Sequence, residues 1–217
     1  MNNVQYTKQP DITRQKLLEA AFHEVHLYGF QAASLGQILG RAQVTKGALY
    51  HHFSDKKSLG LAIINELISP YIRANFIQPL QTTEYPLQTL IELIQRPSTM
   101  QSDEMVKLGC PLNNLLQEMS PVDNDFRHAL NTVLEEWRSC IAQALQRGQQ
   151  AGQIRVDINP DHIALFVVAA LEGCIGIAKN LQSLATLQQG KAVLAQFLMA
   201  LAIDHTPALS QPKYLGA

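Results

Sequence analysis

The chain has 217 residues, 47% hydrophobic and 16% charged, which is enough apolar material for one large or two small packed domains and excludes a disordered tail. Its formal net charge of −1 hides an asymmetry: residues 1–60 carry seven Lys/Arg against four Asp/Glu, a net +3, while the remainder carries ten against fourteen, a net −4. A basic first quarter on an acidic body points to a polyanion at one end, and it excludes a uniformly cationic protein that coats nucleic acid.

The amino terminus is polar and shows no signal-peptide pattern. Along residues 13–29, Leu17, Leu18, Ala21, Phe22, Val25 and Tyr28 recur on one side of a helix, with Thr13 as candidate N-cap and Gly29 as stop. Ser34 is placed to cap a second, short helix carrying Leu35, Ile38, Leu39 and Ala42. A tight connection over 42–45 leads to a third short helix at about 45–51. Ser54 or Asp55 caps a fourth, which runs on through residues 59–76.

Further apolar-striped segments follow near 86–96, 111–119, 123–150, 160–181 and 188–203. Pro86, Pro111, Pro121 and Pro160 stand at or near their starts, where a missing N–H costs little. Gly148 and Gly152 mark the end of the longest. Residues 153–160 are the one strand-like stretch, and Pro160 favours a loop there. The apolar run 163–178 is short for a membrane span and is broken by Glu172. The last residues, 206–217, read as a frayed tail. The expected fold class is all-α: a three-helix head with a helix-turn-helix, then a larger helical bundle.

Chemistry concentrates in residues 43–59, QVTKGALYHHFSDKKSL. Two short helices joined by a tight turn and braced by a preceding helix make a helix-turn-helix, whose second helix is sized for the major groove of DNA. Thr45, Lys46, Tyr50 and His51 offer hydroxyl, cationic and aromatic groups suited to phosphates and base edges. Gly47 removes a side chain where the backbone approaches the duplex. Ser34 offers the N–H groups of a helix N-terminus to a phosphate. Lys56 holds the DNA backbone on the other side, while Val44, Leu49 and Phe53 face inward as a small core.

The order Gly29-Phe30, Ser34, Val44-Thr45-Lys46-Gly47-Ala48-Leu49-Tyr50-His51-His52-Phe53 and Lys56 resembles the DNA-binding signature of the TetR family of bacterial transcriptional regulators. The resemblance covers roughly residues 13–60. Gln43 departs from it, standing where the family turn usually has glycine. Gly36 is an internal glycine in the second helix, costing up to ~1 kcal/mol against alanine. The resemblance implies a DNA-binding domain over 1–56 and a ligand-binding and dimerisation domain over 57–205. It also implies a homodimer on a pseudo-palindromic double-stranded operator, repression as the default, and release by a small-molecule inducer in the cytoplasm.

An enzyme is the competing class, but no nucleophile elbow, P-loop or dinucleotide-binding glycine pattern occurs. His23 and His26 do not form a metalloprotease motif, so neither a catalytic nor a metal site is expected, and no cofactor. The small residues Ala164, Ala169, Ala170, Gly173, Gly176 and Ala178 suit either an ordinary buried core helix or, under the resemblance, a four-helix dimer interface built from 160–203. The resemblance likewise makes Trp137 and Phe166 candidate walls, and Asn113 and Asn114 candidate polar groups, of an inducer pocket.

Cys110, Cys140 and Cys174 are odd in number, fit no zinc spacing and read as free thiols. Cys110 falls at the N-cap position before Pro111, where a helix dipole favours a thiolate, and Lys107 adds positive charge. A Gly-Cys at this place together with Lys179 resembles the NemR-like members of the family, which respond to electrophiles. The alternative is a small residue filling space at a helix start.

Overall fold

The computed structural model describes residues 9–96 and 102–203; the expected tail at 206–217 lies outside the described residues. All of its regular elements are helices: α1 (Gln9–Tyr28), α2 (Leu35–Ala42), α3 (Lys46–His52), α4 (Lys56–Ile63), α5 (Ser69–Ile72), α6 (Gln78–Thr82), α7 (Pro86–Gln95), α8 (Ser102–Leu108), α9 (Pro111–Met119), α10 (Asn124–Gln150), α11 (Pro160–Leu181) and α12 (Leu184–Met199). The strand-like stretch makes one isolated antiparallel bridge, Ile154 to Ala202.

Two compact units share the chain. The first comprises residues up to 71 together with 110–133, and the second comprises 72–109 together with the residues from 134 on. In the first, α1 packs on α2, α3 and α4, and α9 packs on the turn that follows α4. Leu17, Leu18, Ala21, Ile38, Leu49, Phe53, Leu59 and Phe126 are all buried there. Phe30 lies 4.5 Å from Phe126, ring centroid to centroid. Gly60 lets both rings in, since a Cβ on it would stand 2.6 Å from Phe126 and 2.5 Å from Phe30.

In the second unit α12 packs on α11 and α7, with α8 against both α11 and α12. Leu80, Ile94, Ile141, Leu145, Ala164 and Leu198 are buried there. α11 extends beyond the apolar run at both ends and is long and apolar enough to cross a membrane by length and composition. It lies instead along α12, burying Ala164, Val167, Val168, Leu171, Ile175 and Ala178.

From α4 to α6 the chain stays helical through two π turns, Ile64–Ile68 and Arg73–Ile77. Each ends two residues before a proline, Pro70 and Pro79. A proline inside a helix has no N–H for the carbonyl four residues back and its ring crowds that carbonyl. Widening the preceding turn relieves the crowding, and Ser69 N–H reaches back to Ile64 O while Gln78 N–H reaches Arg73 O. The carbonyl released by Pro79, that of Asn75, accepts from Arg96 Nη2 at 3.1 Å. The Leu80 carbonyl accepts from Arg147 Nη2.

The helices depart from the sequence expectation in several places. α1 begins at Gln9, so Thr13 lies inside it. α12 begins four residues early, because Ser183 caps it by accepting from Thr186 N–H at 3.2 Å. α8, a short helix between turns, has no counterpart among the expected segments.

Candidate DNA-binding surface

α2 and α3 are too short to be stable alone, and each is started by a side-chain cap. Ser34 Oγ accepts from Gln37 N–H at 3.4 Å, and Thr45 Oγ1 from Ala48 N–H at 3.2 Å. Between them Gln43 adopts φ 55°, ψ 44°, the left-handed conformation that ends α2 and turns the chain. Leu49 and Phe53 are buried and Val44 half-buried, which fixes which side of α3 faces inward.

The other side carries the expected groups. Ser34, Thr45, Lys46, Gly47, Tyr50 and His51 are all exposed. Lys46 Nζ stands 5.9 Å from the centre of the Tyr50 ring, a cation over an aromatic face one helical turn on. His51 meets His52 edge-on at 5.1 Å. Gly47 has ordinary helical geometry, and a Cβ there would find only Thr45 Oγ1, at 3.9 Å. Nothing inside the fold requires glycine at 47, so its small size bears on what approaches from outside. Gln37 and Arg41, also exposed, extend this surface along α2. They stand four residues apart, and that spacing on a short capped helix is the sequence signal that would have included them.

Lys56 is placed differently from the expectation. Its Nζ donates to the Gln31 carbonyl at 3.0 Å and lies 5.0 Å over the Phe30 ring. Burial lowers its pKa, against the opposing pull of Glu118. Instead of reaching outward to a phosphate, Lys56 braces the loop between α1 and α2. Lys57 is held too, 2.8 Å from Asp123 and 2.7 Å from Asp125. Those carboxylates push its pKa up to about 12. Asp55 caps α4 in a reciprocal box with Ser58, settling the choice between Ser54 and Asp55.

The residues expected to meet an inducer are scattered. Cys110 is the N-cap of α9 and Pro111 its first residue, as expected, but the cysteine is only 7% exposed. Such burial suits a residue that fills space and is unlike an accessible thiolate. Lys179 belongs to the other unit. Asn113 accepts from Gln117 Nε2 at 3.5 Å, and Asn114 lines a small cavity with Phe22, His26, Ile63 and Pro111. Trp137 is buried in the second unit against Phe76, with ring centres 5.0 Å apart. Phe166 is half exposed and packs edge-on to Phe197, so it lies on the outside of the α11–α12 pair and not in an internal wall. Cys140 is buried, its thiol pushed up in pKa by that burial, and Cys174 is partly exposed. Among the described residues no three His, Cys, Asp or Glu side chains come together as a metal site, and His26 packs on Phe22 at 5.6 Å.

Residues 17–63 match the family described as bacterial regulatory proteins, tetR family, and residues 86–194 match the tetracyclin repressor-like C-terminal domain. The chain belongs to the TetR family of transcriptional regulators. It is 31% identical over 168 residues to the transcriptional regulator AcuR of Cereibacter sphaeroides, covering 77% of each chain. It is 26% identical over 147 residues to the HTH-type transcriptional repressor NemR of Escherichia coli, covering 64% of this chain and 69% of NemR. The solved structure of a regulatory protein TetR from Rhodobacter sphaeroides superposes with a TM-score of 0.76 at 29% identity, over 85% of this chain and 98% of that one. A TetR-family regulator works by binding DNA and responding to ligands, and is not an enzyme.

Proposed function

We propose that this chain is a cytoplasmic homodimeric repressor that holds a pseudo-palindromic operator through Ser34, Thr45, Lys46, Gly47, Tyr50 and His51, and that a small-molecule inducer releases it. Residues 1–56 form the DNA-binding domain and 57–205 the ligand-binding and dimerisation domain. The observation that carries the proposal is the outward side of α3, where hydroxyl, ammonium and aromatic groups cluster beside a glycine that nothing in the fold requires. Two such heads related by a two-fold axis reach successive major grooves of one duplex face. Burial of Cys110 favours an inducer bound without covalent chemistry, and Trp137, which packs on Phe76 in the second unit, is its candidate aromatic wall.

The test is selection of a duplex from a random pool, followed by titration of a Lys46→Ala, Tyr50→Ala double variant. Operator affinity falls while helicity stays the same. For every phosphate that the variant no longer neutralises, the slope of log K against log salt falls by about one unit. An unchanged affinity in the double variant refutes the assignment.

A further inference from the structure

Three helices from distant parts of the sequence converge on the loop between α1 and α2. Gly29 ends α1 at φ +82°. The next two backbone N–H groups, of Phe30 and Gln31, donate to Oε2 and Oε1 of Glu118, each at 2.8 Å. One carboxylate thus takes both donors, in the bidentate manner that strengthens a charged hydrogen bond. It sits so close that a Cβ at position 29 would lie 2.9 Å from Glu118 Oε2. Gln31 is also held through its carbonyl, by Lys56 Nζ of α4. Phe30 is wedged between Gly60 of α4 and Phe126 of α10. Three residues beyond Gln31 stands Ser34, the cap of α2.

Glu118 has the wrong charge for its place on general grounds. It lies in the last turn of α9 and against the last turn of α1, and both are the negative ends of helix dipoles. Dipoles alone would disfavour a carboxylate there. What keeps it is the pair of N–H donors and the Lys56 ammonium, so its position depends on the loop and the loop's position depends on it.

We infer that Glu118 is a positioning residue for DNA binding: through the loop it sets the attitude of α2, and with it the Ser34 cap and α3. This role rests on the DNA-binding proposal above. Glu118 touches no DNA. It transmits the placement of α9 to the DNA-facing helices, and a shift of α9 that withdraws the carboxylate frees the loop and spoils the fit to the operator.

The experiment uses the full chain, the duplex recovered by selection with the wild type, and two variants. Glu118→Ala removes both acceptors, whereas Glu118→Gln keeps one. Affinity drops about tenfold in the alanine variant and less in the glutamine variant, as expected for losing hydrogen bonds to a charged group. The salt slope stays at the wild-type value in both, because every phosphate-binding group is still present. Amide exchange at Phe30 and Gln31 quickens in the same order. If the alanine variant fails to fold, the glutamine variant decides. Wild-type affinity in the folded variants, or a lowered salt slope, overturns the role of Glu118. A wild-type chain that selects no duplex refutes the DNA-binding proposal, and this role with it.

Discussion

Gln43 and Gln182 are the two non-glycine residues at positive φ among the described residues, and each follows the end of a helix. A side chain in the left-handed region crowds its own backbone, at a cost of order 1 kcal/mol. At Gln43 that cost falls in the turn of the helix-turn-helix, where the family signature has glycine. Replacing Gln43 with glycine therefore raises stability by about 0.5–1 kcal/mol, read as a higher denaturant midpoint at unchanged slope. The gain is partly offset because glycine also loosens the unfolded chain. A lower midpoint would mean that the glutamine side chain makes up for the strain. Gly29 is the opposite case: φ +82° and the adjacent Glu118 carboxylate both exclude a side chain there.

Helices here are set as much by their neighbours as by their own residues. Pro70 and Pro79 would interrupt an isolated helix. Instead the chain from α4 to α6 continues, because π turns absorb each ring and Arg96 satisfies the Asn75 carbonyl. α11 and α12 come close together where Gly190 faces Cys174. A Cβ on Gly190 would overlap Cys174 Sγ and lie 3.0 Å from Cys174 Cβ. Gly190→Ala thus overpacks the crossing and destabilises by about 1–3 kcal/mol. Cys174→Ala in the same chain makes room and recovers a large part, so the two changes are non-additive in urea melts. Simple additivity would show that the helices separate without strain.

At the scale of the whole molecule, the outer side of α11 and α12 is apolar. Leu165, Phe166, Ile177, Leu181 and Val193 are 48–65% exposed, and Gly173 and Gly176 are open to the outside with nothing within 4 Å of a Cβ. Exposed large apolar side chains in a row mark an interface, and small residues between them let a second helix pair come close. In the proposed dimer Ile177 is buried against the partner. Ile177→Glu then sediments as a monomer at micromolar concentration where the wild type is a dimer, since an unpaired charge costs several kcal/mol to bury. Its circular dichroism stays helical, because Ile177 is 58% exposed within the single chain. A wild type that sediments as a monomer would refute the interface.

The amino-acid order alone determined the helix-turn-helix, its Ser34 cap, its inward Leu49 and Phe53 and its outward Lys46, Tyr50 and His51. These are legible because caps, turns and helical stripes act over three or four residues, within reach of a local pattern. What Lys56, Lys57 and Glu118 do was decided only by tertiary structure. A lysine beside a DNA-binding helix looks like a phosphate ligand until Gln31, 25 residues away, supplies a carbonyl for it. Glu118 lies 88 residues from Phe30 and matches no motif, since a carboxylate that binds two backbone N–H groups places no demand on the side chains around it. Likewise Cys110 was placed at its N-cap by the proline that follows, whereas its burial depends on elements folded around it, which no local spacing records.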